Sequence, residues 1–104
     1  MFHLADALVI DVYQLTKTFP REELYGLTAL VRRAAVSAPT NIVEGCARRS
    51  TGEYIHFLNI ATGSVFEARY LIDLSFRLGY LPGQTHDAFM RRYNAPRQVT
   101  GASD

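Results

Sequence analysis

The chain has 104 residues, 48% of them apolar, and its 11 Lys and Arg against 10 Asp and Glu leave a net charge of +1. That size and apolar fraction suit one small domain burying roughly two-thirds of its unfolded surface, and they exclude a disordered acidic or basic tail. Near-neutrality argues against a nucleic-acid binder that works through bulk charge, while leaving room for a local basic patch.

Cys46 is the lone cysteine, so no internal disulfide can form and a cytoplasmic domain is expected. The opening MFHLADALVIDV lacks a basic n-region and carries Asp6 and Asp11, so it does not read as a secretory signal. No uncharged apolar run of about 18 residues exists, and no membrane contact is expected. Lys17 is the one lysine; every other basic residue is Arg, whose planar, weakly hydrated fork suits phosphate and carboxylate contacts. A GC-rich genome would give the same bias.

Leu4, Leu8, Val12 and Leu15 recur at spacings of three and four, with Phe19 just beyond, which predicts an amphipathic helix over 4–18 ended by Phe19-Pro20. Pro20, followed by Glu22 and Glu23 near a positive helix end, opens a second helix expected to run to about Arg48, with Gly26 interrupting its early turns. Pro39 lies inside it, where a proline removes one hydrogen bond and costs about 3 kcal/mol. The apolar register nevertheless crosses Pro39: Leu24, Leu27, Val31, Ala34, Ala35, Ala38, Ile42 and Cys46 fall on one face. A continuous, kinked helix is expected.

Ser50-Thr51-Gly52-Glu53 fits a capping box and opens a third helix. Tyr54, Phe57, Leu58, Ala61, Val65, Ala68, Ile72, Ser75 and Leu78 then hold the helical period, and Gly79 follows as a C-terminal cap. A fourth segment, Thr85 to about Tyr93, carries Ala88, Phe89 and Tyr93 before Asn94-Ala95-Pro96 stops it, leaving 95–104 as a loose tail. The fold class expected is all-α: one domain over 1–94, an antiparallel up-down four-helix bundle with a kinked long second helix and a short fourth helix. So short a fourth helix leaves hydrophobic surface uncovered.

On the second helix Ala29, Val36, Val43 and Ala47 form another apolar stripe away from the core line. It is either a broad core face or a protein interface, and self-association is the preferred reading. Arg33, Ser37, Thr40, Asn41, Glu44 and Arg48 occupy the remaining side, as a solvated face or, with Arg32 and Arg49 added, as two Arg pairs that grip phosphates.

Glu53-x-x-His56 has the spacing of a di-iron ligand pair, but no second pair accompanies it, so no metal or other cofactor is expected. Cys46 reads as a small core residue rather than a nucleophile. Gly63-Ser64, in mid-helix, reads as a packing notch. With no Gly-rich phosphate loop and no nucleophile elbow, no catalytic residue is assigned and the chain is expected not to be an enzyme.

The linked blocks Tyr25-Gly26-Leu27-Thr28, Arg32-Arg33-Ala34-Ala35-Val36-Ser37, Pro39, Asn41-Ile42, Glu44-Gly45, Arg48, Ser50, Glu53, Phe57-Leu58, Ala61, Gly63-Ser64, Glu67 and Leu78-Gly79 carry a resemblance. Residues 25–81, and more loosely 4–93, resemble the four-helix-bundle family encoded by intervening sequences in bacterial large-subunit (23S) ribosomal RNA genes. The resemblance implies a left-handed bundle, a kinked second helix and no established enzymatic activity.

The chain also resembles the accessory protein of diversity-generating retroelements, which implies a homopentameric ring whose basic surface contacts nucleic acid and a reverse transcriptase. On that resemblance Arg32, Arg33, Arg48 and Arg49 become nucleic-acid candidates. Asn41, Glu44, Glu53 and Glu67 become a structural polar network with Arg33 or Arg48. Two departures stand out: the family's fourth helix is longer, and this chain is far less basic than the retroelement proteins. The function expected is a non-enzymatic homo-oligomeric interaction module, a pentamer favoured, with RNA or DNA as a further partner. The alternative is a protein-only scaffold whose Arg residues pair with Glu22, Glu23, Glu44 or Glu67.

Overall fold

Apolar residues recurring every three or four positions dictate helices, and the computed structural model, which describes residues 2–94, has four: α1 Phe2–Thr16, α2 Leu27–Cys46, α3 Thr51–Arg77 and α4 Gly83–Arg92. A 3-10 turn, Arg21–Glu23, precedes α2. No strand occurs among the described residues, and the fold is an all-α helical bundle. The tail expected over 95–104 lies outside the described residues. No described helix is long and apolar enough to cross a membrane.

The second helix starts later than the sequence suggests. The Glu23 carboxylate accepts the Leu27 N–H at 3.1 Å, replacing the backbone bond of a continuing helix, and a Cβ on Gly26 would sit 2.8 Å from that carboxylate. The chain therefore turns at Glu23–Gly26 and begins a new helix at Leu27, which leaves Leu24 exposed in the turn rather than on the core face. From there α2 continues through Pro39 to Cys46. Cys46 is exposed, contrary to the core role expected of it: the buried contact of this last turn belongs to Gly45, which meets Tyr54 and Phe57.

Both ends of α3 follow from local chemistry. Ser50 Oγ accepts the Glu53 N–H at 3.1 Å, the N-cap half of the capping box, while the Glu53 carboxylate accepts from the Ser50 hydroxyl at 3.1 Å rather than from its backbone N–H. At the other end Gly79 adopts φ +85°, with Gly79 N–H donating to the Phe76 carbonyl and Tyr80 N–H to that of Ser75. This is the Schellman termination, in which the left-handed residue is best a glycine.

The core is small-residue at its centre and bulky at its edges. Ala34, Ala35 and Ala38 of α2 and Ala61 and Ala68 of α3 are all buried in one core cluster, where short side chains permit close helix packing. Ser64 Oγ donates to Ser37 Oγ at 2.7 Å across this seam. Leu8 and Val12 of α1 and Phe89 of α4, with Tyr93 just beyond it, close the remaining sides. The radius of gyration is 14.4 Å, above the about 12 Å of a compact domain of this length. The bundle is elongated, and much apolar surface stays outside.

Candidate functional site

The sequence-assigned arginines and apolar stripe lie on the outer face of α2 and in the turn after it, and they divide in two. Arg32 turns toward α1: its Nε donates to Thr16 Oγ1 at 2.8 Å and its guanidinium lies 4.6 Å above the Tyr13 ring. Arg33, one residue on, points outward and is exposed. Between them runs a trough lined by Tyr13, Leu24, Ala29 and Val36, with Ser37 and Asn41 at its far end. A neighbouring hollow shares Leu24 and Arg32 and adds Lys17 and Arg21. Among the described residues, none of Lys17, Arg21, Arg32 or Arg33 lies within ion-pair distance of a carboxylate.

One nearby acid, Glu23, is engaged on another side. Glu23 accepts the Tyr80 hydroxyl at 2.8 Å as well as the Leu27 N–H. These two donors, the backbone one first, hold its carboxyl below the usual carboxylate range. Tyr80 is correspondingly pushed up, by its bond to Glu23, by desolvation and by the charges of Glu23 and Glu22.

Arg48 and Arg49 sit at the opposite end, roughly 24 Å from the first pair at 1.5 Å per helical residue. Arg48 forms an ion pair with Glu44 and lies 4.7 Å over the Phe57 ring, whereas Arg49 is exposed. The four arginines are thus two separate sites rather than one patch. The apolar stripe divides likewise: Ala29 and Val36 share the trough with Arg32 and Arg33, while Val43, 57% exposed, and Ala47 lie further along.

Asn41, Glu44, Glu53 and Glu67 are not hydrogen-bonded to one another. Asn41 Nδ2 donates to the Ser37 carbonyl at 2.8 Å and to Ser37 Oγ at 3.0 Å, joining the Ser37–Ser64 seam. Glu44 pairs with Arg48, and Glu53 belongs to the Ser50 cap. Glu67 is exposed on α3 with no hydrogen bond or ion pair among the described residues.

Sequence reasoning missed a second surface, the outer side of α3. Ile60, Phe66 and Tyr70 are 38%, 49% and 57% exposed around Gly63, at the same helical spacing as the core line but opposite it. It also missed the tie at the top of α4. His86 lies between Asp73 and Asp87, one ring nitrogen 2.9 Å from each, and its ring stacks on Phe76 at 4.5 Å. The bond from His86, with Arg77 also adjacent, holds Asp73 below the usual carboxylate range against the opposing effect of burial. Among the described residues no group of three or more His, Cys, Asp and Glu side chains is placed to hold a metal ion.

A helical bundle with two outward apolar faces and charged groups at their edges defines the class: small all-α bundle proteins. The chain belongs to the 23S rRNA-intervening sequence protein family, whose model matches residues 1–100. This is the family to which the linked sequence blocks pointed. A search of curated proteins returns no match.

Proposed function

We propose that the protein is a non-enzymatic helical-bundle module that acts by interaction, first with copies of itself. The observation that carries this is the exposed apolar row on α2, with Val36 39% and Val43 57% exposed in line with Ala29 and Ala47. A domain of this size gains by hiding such a row against another copy. The proposal includes an antiparallel bundle bent at Pro39. Its support is that Ser37 meets Ser64 while Gly45, further along α2, meets Phe57, further back along α3. Kinship with retroelement accessory proteins would make the assembly a pentamer and a reverse transcriptase a partner.

Sedimentation velocity across a wide concentration range tests the reading. A concentration-dependent oligomer is expected, and Val43→Glu is expected to weaken it. A compact 11.7 kDa species throughout would refute self-association.

RNA or DNA binding is a second reading, favoured by Arg33 and Arg49, which among the described residues have no carboxylate partner. Binding to structured RNA and DNA must then weaken steeply with salt and fall in the Arg48→Ala/Arg49→Ala variant. No binding at low salt would leave the protein-only scaffold.

A further inference from the structure

We infer that copies meet through two different faces, the outer side of α3 on one copy seating in the α2 trough of the next. This rests on the self-association reading and assigns its surfaces. Gly63 is the first observation. A glycine inside a helix costs about 1 kcal/mol relative to alanine. Packing within the chain normally explains it, as at Gly45, yet among the described residues a Cβ on Gly63 would meet nothing within 4 Å. No neighbour among the described residues accounts for the missing side chain, and a contact with a second copy does. Gly63 lies in the middle of the exposed run of Ile60, Phe66 and Tyr70, where it flattens the face for a close approach.

Charge is the second observation. Glu67 lies on this face, exposed and without an ion-pair or hydrogen-bond partner among the described residues. The trough is concave and apolar along Leu24, Ala29 and Val36, and its arginines Arg32 and Arg33 lack carboxylate partners among the same residues. Lys17 and Arg21 extend that charge into the adjoining hollow. An aromatic face with one free carboxylate complements an apolar trough edged by the outward Arg33, beside an Arg32 held by Thr16 and Tyr13. Because the two faces differ, the contact is heterologous, and its repetition closes into a ring when the rotation per copy allows.

The test is sedimentation of the full chain in five forms: wild type, Gly63→Leu, Glu67→Arg, Arg33→Glu, and the double variant Glu67→Arg/Arg33→Glu. Gly63→Leu is expected to dissociate the assembly while keeping wild-type helicity by circular dichroism. Each charge reversal should raise the dissociation constant about tenfold or more, and the double variant should recover most of that loss. A wild type that is monomeric at every concentration overturns self-association itself. An oligomeric wild type whose Gly63→Leu and single charge variants assemble unchanged overturns only this interface. Tight binding of a single-stranded oligonucleotide that Arg33→Glu abolishes, with assembly unaffected, would give the trough to a polyanion instead.

Discussion

Gly45 and Gly63 are the same residue in two neighbouring helices with opposite consequences. A methyl group on Gly45 would lie 3.0 Å from the Phe57 Cβ and 3.4 Å from the Tyr54 carbonyl oxygen, so one helix must shift. Gly45→Ala is expected to destabilise by about 1–3 kcal/mol. Gly63→Ala, meeting nothing, is expected to stabilise the dissociated chain by up to about 1 kcal/mol, and urea unfolding at low protein concentration separates the two. The sequence marked Gly63-Ser64 as a notch, but the close approach lies at Ser64 and at Gly45. Helical periodicity places both glycines on a helix and cannot say which one has a neighbour.

Glu23 supplies a pH test at the same scale. Its folded pKa is depressed, so the stability it contributes is present above its unfolded value and is lost as pH falls through the folded one. Glu23→Gln should therefore lower stability near neutrality and flatten the decline of wild type below about pH 4.5. An unchanged acid limb in urea titrations would deny the role.

At the level of elements, α3 was legible at both ends because its signals are local: a Ser-to-Glu box opens it and a glycine closes it. The start of α2 was not legible, because a carboxylate side chain takes the place of a backbone carbonyl there, and no periodicity records that. Within α2, Pro39 leaves one backbone bond unmade. Pro39→Ala is expected to raise the unfolding midpoint, read by thermal melts.

The ten residues of α4 are held by few groups. Phe89 is buried, and Tyr93 just beyond the helix is almost fully so, its hydroxyl donating to Asp11, which also pairs with Arg92. Burial first, then the bond to Asp11, pushes the Tyr93 phenol up. Phe89→Ala should cost about 3–5 kcal/mol and free α4 in hydrogen exchange, whereas Tyr93→Phe, which keeps the ring, should cost about 1 kcal/mol. Equal costs would mean that the hydroxyl rather than the apolar ring anchors the helix.

At the scale of the molecule, family membership and helical class were legible, since both rest on residues read along the chain. Which arginines stand together was not. Helix position alone cannot show that Arg32 turns to Thr16 and Arg48 to Glu44, while their neighbours Arg33 and Arg49 stay outside. The outer face of α3 went unread because its apolar residues share the core's period, and only the packing of α2 and α4 reveals which side is left over.

The bonds across the bundle also differ in how much chain they enclose. Ser37 and Ser64 are 27 positions apart, whereas Asp11 and Tyr93 are 82 apart. Closing the longer loop from a flexible chain costs roughly 1 kcal/mol more in entropy. The α2–α3 hairpin should therefore form early in folding, and the Asp11 clasp should close last and open first. The bundle can part at α1 and α4 while its central hairpin survives, which makes that seam the natural site of early proteolytic attack.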